Sequence, residues 1–314
     1  MMKSPLPVRD GVNATRVRLP ESGEWGTALG YLLARFRHVD PDGIAERFDR
    51  GEVQGIGGVK LTRDTPLGEH TFIWYYRELP EEQPLPVDIT VLHSDDHLLV
   101  ADKPHFLPTT PGGMYVKESA LVRLRASLNL PDLVPIHRLD RMTAGVLLFS
   151  LNPASRGDYQ QLFERRLVSK SYEAVARFDP AQQFPQTVRN RLVKTKDYLL
   201  SRELEGEPNA ESLIDLAHTD GTHALYRLYP HTGKTHQLRQ HMGKLGLGIL
   251  NDRYYPTLLD EAPDNYAEPL QLLAKSITFT DPLSGETRTF TSELTLKHTP
   301  AALAQPQHQQ QANR

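Results

Sequence analysis

From residue 89 onward the chain is cut into short apolar stretches of strand length separated by turn residues. This limits the fold more than any other feature. Ile89-Thr90-Val91-Leu92 and His97-Leu98-Leu99-Val100 flank Ser94-Asp95-Asp96 like the arms of a hairpin. Residues 145–151 read as a buried strand. Residues 170–176 alternate, 225–229 form another strand, and 274–280 and 286–290 close around Asp281-Pro282-Leu283-Ser284-Gly285. Helices are fewer. The spacing predicts them over 118–128, 154–167 and 235–245, the last with the stripe Leu238, Met242 and Leu245 and with Gly246 as its stop. No apolar run reaches the roughly 18 residues of a membrane span. The expected class is α+β.

The leading part reads differently. Residues 1–23 lack periodicity and are expected to be a flexible lead-in. Residues 24–50 read as two helices, with Leu29, Leu32, Leu33 and Phe36 in one and Ile44, Ala45 and Phe48 in the next. Arg50-Gly51-Glu52-Val53, a Gly pair and the strand Thr71-Phe72-Ile73-Trp74-Tyr75-Tyr76 complete a small unit over 24–80. Acidic and Pro-rich residues at 81–87 form a linker to a domain spanning 88–300. The Gln-rich residues 301–314 are expected to be a disordered tail.

Charge sharpens the functional reading. The 314 residues carry 36 Lys+Arg and 39 Asp+Glu, a formal net charge of -3, so any site for a polyanion must be a local patch. Stretches 137–177 and 231–253 are each net +3, and 187–202 is net +4. The acid concentrates elsewhere, in what read as loops at 203–220 and 257–270. The absence of cysteine excludes a disulfide scaffold, a thiol nucleophile and a Cys-based metal site. The first ten residues show no signal-peptide pattern, so the expected location is cytoplasmic.

Three segments can carry chemistry. In Pro135-Ile136-His137-Arg138-Leu139-Asp140-Arg141-Met142-Thr143-Ala144-Gly145, a carboxylate lies between two arginines where a loop enters an apolar strand. Such a carboxylate should stay ionised, either as half of a structural ion pair or as a reactive group. In Lys170-Ser171-Tyr172-Glu173-Ala174, small neighbours on the face of Tyr172 fit an accessible ring as well as a half-buried core tyrosine. His231-Thr232-Gly233-Lys234-Thr235-His236-Gln237-Leu238-Arg239-Gln240-His241 suggests a phosphate loop, but position 228 is Leu rather than the required Gly. Histidines five apart on a helix do not share a face, which argues against a metal site. A donor-rich helix start with Lys234 and Arg239 remains, serving either a ligand or solvent.

Together these segments resemble the RluA-type pseudouridine synthase family. HRLDRMTAGVLLFS (137–150) is similar to its catalytic motif, SYEA (171–174) to its tyrosine motif, and TGKTHQLRQHMGKLGLGILNDRYY (232–255) to its arginine-bearing motif. ITVLHSDDHLLVADKP (89–104) and LLAKSITFTDPLSGE (272–286) resemble its opening and closing hairpins, in the same order. The resemblance implies a large, mainly antiparallel sheet with flanking helices and a central cleft. It implies isomerisation of uridine to pseudouridine in structured RNA, ribosomal before transfer RNA. It implies no cofactor; no metal, no membrane partner and a monomeric chain are expected. Asp140 would be the catalytic aspartate, Tyr172 would stack on the uracil, and Arg239 would pair with Asp140. Arg138 would help displace the base, and His137, Arg141, Thr143, Lys170, Lys234, His236 and Gln237 would contact substrate or RNA. Lys234 and Ala144 stand where the family often has Arg and Ser, and HFLPTTPGG (105–113) departs from its usual Gly-Leu-x-Val-His-Pro. Residues 24–80 resemble an S4-type RNA-binding module, on which Arg35, Arg37, Arg47 and Arg50 could form a basic face; a structural or dimerising role is the other reading. A non-catalytic RNA-binding or ribosome-assembly factor is the alternative for the whole chain.

Overall fold

The computed structural model describes residues 4–38, 40–79, 81–194, 200–260 and 262–301. Its contacts divide it into two units. The first holds residues up to 83 together with 113–117 and 122–131; the second holds the remainder.

In the first unit β1 (Thr15–Arg18) precedes two capped helices. Thr27 Oγ1 accepts from Gly30 N at 3.1 Å and opens α1 (Ala28–Arg35). Asp40 Oδ1 accepts from Gly43 N at 2.9 Å and, with Pro41 in the first turn, opens α2 (Pro41–Asp49). β2 (Gln54–Gly55) and β3 (Phe72–Tyr75) follow, and the sheet order is β1-β3-β2. Val17, Leu29, Leu32, Ile44, Phe48 and Ile73 form the core between helices and sheet.

Three expectations are corrected here. The lead-in is not featureless, because Thr15 to Arg18 pair with Tyr75 to Phe72. The segment Thr-Arg-Val-Arg turns only Val17 inward, too little apolar signal to read as a strand. The linker is held down, since the Glu82 carboxylate accepts from Val116 N and Lys117 N, each at 2.9 Å. The basic face is partly neutralised. Arg47 is buried and pairs with Glu78, and Arg50 pairs with Glu46 and Glu52.

The second unit contains β4 (Thr90–Ser94), β5 (Leu98–Lys103), β6 (Val134–Pro135), β7 (Ala144–Ser150), α4 (Arg156–Glu164), β8 (Ser169–Arg177), β9 (Gln186–Lys194), β10 (Ser201–Leu204), β11 (Ala210–Thr219), β12 (His223–Pro230), α5 (Gln237–Lys244), β13 (Leu272–Thr280) and β14 (Thr287–Thr291). α3 (Ala120–Leu128) runs across the division between the units. Among the described residues the large sheet has the order β10-β9-β11-β12-β8-β13-β7-β5-β4, with β14 on β13 and β6 on β7. Its pairs are antiparallel except β7 with β13.

β9, β10 and β11 were not legible as strands. In β9 the buried Val188, Asn190 and Leu192 alternate with the exposed Thr187, Arg189 and Arg191, so charge hides the pattern. The acid-rich segment expected to be a loop at 203–220 contains β11, where Ala210, Ser212 and Ile214 face inward and Glu211, Leu213 and Asp215 face outward. Lys196, within the basic stretch 187–202, and the tail from 302 to 314 lie outside the described residues.

One transverse row of the sheet positions the site. Lys103 on β5 pairs with Gly145 on β7, Gly145 with Ala274 on β13, Ala274 with Tyr172 on β8, and Tyr172 with Leu228 on β12. Residues that pair across strands share a face. Gly145 is required in this row. Its φ is +113°, and a Cβ there would lie 2.2 Å from Ala274 O. α5 covers the sheet next to Tyr172 through Leu238 and Met242, which pack on Ala174, Ile214 and Leu228.

Candidate active site

The loop between β6 and β7 carries Asp140 and is gripped from one side by residues 103–109. Thr109 Oγ1 donates to Leu139 O at 2.8 Å and accepts from Leu139 N at 3.1 Å. Nδ1 of His105 lies 2.6 Å from Met142 O. Lys103 Nζ donates to Pro104 O, Leu107 O and Arg141 O at 2.8, 2.9 and 3.3 Å. Thr143 N closes a turn onto Asp140 O at 3.1 Å. The residues on both sides of Asp140 are thus fixed, while its carboxylate is half-exposed and accepts no hydrogen bond among the described residues. A preorganised backbone with a carboxylate left open to solvent suits a reacting group.

Several groups feel the charge of Asp140: Lys103, Tyr172, His236, Arg239 and Tyr255. Lys103 is fully buried, and burial pulls its ammonium down to about 7 while Asp140 opposes that shift. Tyr172 is half-buried. Burial, then the Asp140 carboxylate, pushes its phenol up, so it stays a neutral phenol in neutral water. Burial lowers His236, and Asp140 partly restores it. Its Nε2 lies 3.9 Å from Asp140 Oδ2.

Arg239 does not pair with Asp140 as expected. It sits in the first turn of α5 and binds Asp252 in a fork, Nε to Oδ2 at 2.7 Å and NH2 to Oδ1 at 2.6 Å. The two side chains are only 3% and 0% exposed. Asp252 Oδ1 also accepts from Tyr254 N at 2.8 Å and Tyr255 N at 3.2 Å, so one carboxylate ties the 252–255 turn to α5. The planar fork matches the carboxylate of Asp252, which the turn already holds in place. Arg239 feels the charge of Asp140 only through space.

The remaining expected site residues divide by place. Arg138 and Lys234 are exposed beside the site. Lys170 is half-buried, its Nζ 3.4 Å from Thr232 O and lowered by burial. His137 is used inside: its Nε2 accepts from Leu148 N at 3.1 Å, its ring stacks on Phe163 at 4.8 Å, and burial drops it to about 3. Gln237 is also internal. Its Oε1 accepts from Thr232 Oγ1 and Lys234 N, and its Nε2 donates to Glu211 O and Ser212 Oγ. Arg141 forks onto Asp264 at 2.7 and 2.9 Å, and Thr143 is buried. These four shape the site from behind.

Sequence reasoning missed Lys103, His105, Thr109, Asp252 and Tyr255. Lys103 stands inside ADKP and Asp252 inside LND, stretches already singled out, but burial and partnership leave no local signal.

The profile of the family described as RNA pseudouridylate synthase matches residues 97–244. The dual-specificity RNA pseudouridine synthase RluA of Haemophilus influenzae is 30% identical over 220 residues, which cover 67% of this chain and 95% of that protein. RluA of Salmonella typhimurium is 33% identical over 214 residues, covering 64% and 91%. An RNA pseudouridine synthase of Synechocystis is 27% identical over 230 residues, covering 72% and 78%. Among solved structures, human RNA Pseudouridylate Synthase Domain Containing 1 superposes with a TM-score of 0.55 at 20% identity, covering 72% of this chain and 94% of that one. Human RNA Pseudouridylate Synthase Domain Containing 4 gives 0.52 at 24%, covering 66% and 88%. At these identities the two structures speak for the fold.

Proposed function

The chain belongs to the RNA pseudouridylate synthase family and isomerises uridine in RNA to pseudouridine, and on that premise we propose that Asp140 carries the reaction. The reaction breaks the bond from the sugar C1′ to uracil N1, turns the base, joins C1′ to C5, and moves one proton from C5 to N1. It is redox-neutral.

One observation carries the assignment. The half-exposed carboxylate of Asp140 projects from a loop fixed by Lys103, His105 and Thr109, amid buried groups that feel its charge. Asp140 acts on the sugar. Tyr172, neutral and half-buried, is the surface on which the freed uracil turns without escaping. Arg239, anchored by Asp252, supplies fixed positive charge. The uridine must leave its stack first, and Arg138, exposed on the same loop two residues before Asp140, is placed to fill the gap. Lys170 and Lys234 meet the phosphates. Ribosomal RNA is the proposed substrate.

Mapping pseudouridine in total RNA with and without this protein tests activity and substrate together. We expect a defined site to be lost with the protein and not restored by Asp140→Ala, with turnover on that RNA down by at least about 10⁴-fold. Near-normal turnover by Asp140→Ala would remove Asp140 from the mechanism. Binding of RNA with no new pseudouridine would favour a non-catalytic factor.

A further inference from the structure

His236 opens α5 in the left-handed region, φ 54°, without capping the helix with its side chain. A non-glycine residue there is strained. The ring is instead held against Tyr254 and Tyr255, at 5.8 and 5.7 Å between centroids, with Nδ1 3.1 Å from Tyr255 Oη. Tyr255 Oη accepts from Ser201 N at 2.9 Å. Its own proton can go to Ser201 O at 3.1 Å or to His236 Nδ1. Gln240 Nε2 also donates to Ser201 O at 3.0 Å, so that carbonyl stays satisfied when the phenol proton turns to Nδ1. In that arrangement Nε2 carries the ring proton and offers it toward Asp140.

Nε2 and Asp140 Oδ2 are 3.9 Å apart, too far for a hydrogen bond, and neither has another hydrogen-bond partner among the described residues. An oxygen about 2.8 Å from each would close the gap at nearly a right angle. In that tautomer it must donate to the carboxylate and accept from the imidazole, as a hydroxyl or a water can. In a uridine within an RNA strand, O2, O4 and the phosphates only accept, and N3–H only donates. The 2′-hydroxyl alone does both. We propose that His236 and Asp140 together seat the 2′-hydroxyl of the target uridine, with Tyr255 fixing the tautomer of His236, so that this pair reads ribose. This rests on Asp140 facing the target sugar.

The test is equilibrium binding of two oligonucleotides that span the mapped site, one with uridine and one with 2′-deoxyuridine at the target position. The wild-type protein is expected to prefer ribose by about ten-fold, the scale of a charge-assisted hydrogen bond. His236→Asn, which tolerates the left-handed backbone but is too short to reach, should bring the ratio close to one. His236→Gln, whose amide N–H reaches further, should keep part of it, and Tyr255→Phe should lower it. A wild-type ratio near one overturns the proposal. So does a His236→Asn ratio equal to wild type, including a uniform loss of affinity for both strands. Turnover by Asp140→Ala is scored separately, so failure of the catalytic assignment and failure of ribose reading give different results.

Discussion

Asp252 shows how much one side chain can decide. It touches no reacting group, yet it holds Arg239 by two short bonds and takes the backbone N–H groups of Tyr254 and Tyr255. Asp252→Ala would leave a buried guanidinium unpaired. We expect a loss of about 3–5 kcal/mol of stability, read in urea unfolding, and a fall in turnover from a displaced Arg239. Unchanged stability would mean that Arg239 finds a replacement carboxylate. At this scale the sequence was informative where a residue lies in a contiguous motif. Asp140, Tyr172 and Arg239 were each singled out from such a motif. The partner of Arg239 was not, because two carboxylates of suitable charge lie within reach of the same turn and only the fold chooses between them.

Elements set the distances between those residues. β7 leaves the Asp140 loop and runs parallel to β13, which in turn pairs with the strand that carries Tyr172. That close approach depends on Gly145. Gly145→Ala would bring a methyl group against Ala274 O and force a positive φ on a residue with a side chain. We expect severe destabilisation, more than about 3 kcal/mol, seen as a lowered thermal midpoint or loss of soluble protein. A midpoint within a few degrees of wild type would show that the two strands can part at this position. Strands β5, β7, β8 and β12 and helix α5 were legible from apolar periodicity. β9 and β11 were not, because their inward positions include Asn190 and Ser212 and their outward ones include Leu213, which breaks a simple alternation.

Across the whole molecule, buried neutral histidines set the response to acid. Burial lowers His105 to about 4, with Met142 O opposing, and lowers His137 to about 3 and His241 to about 4. In the unfolded chain these rings take up protons near 6.5. Between about 6.5 and 4 the unfolded state therefore binds more protons than the folded one. Stability falls as pH drops through that window, by up to roughly 1.4 kcal/mol per pH unit for each ring. Urea unfolding at pH 7, 6 and 5 should show the decline. Substituting Phe for His137, whose ring already stacks on Phe163, should make it shallower. A flat profile in the wild-type protein would mean that these rings are hydrated and protonate in place.

The sequence by itself determined the residue chemistry and the order of the elements. It supplied a cysteine-free chain of strand-length segments, with an aspartate, a tyrosine and an arginine each set in its own motif, and basic stretches around them inside a net charge of -3. Local periodicity and turn chemistry encode that much because they act over a few residues. Only the tertiary structure decided which charges meet. It gave Arg239 to Asp252 and buried Lys103 under three carbonyls. It used His137 and Gln237 as internal supports and left the Asp140 carboxylate 3.9 Å from His236 Nε2. The separations of these groups depend on strand order and on how loops and helices fold back onto the sheet, which no local pattern encodes.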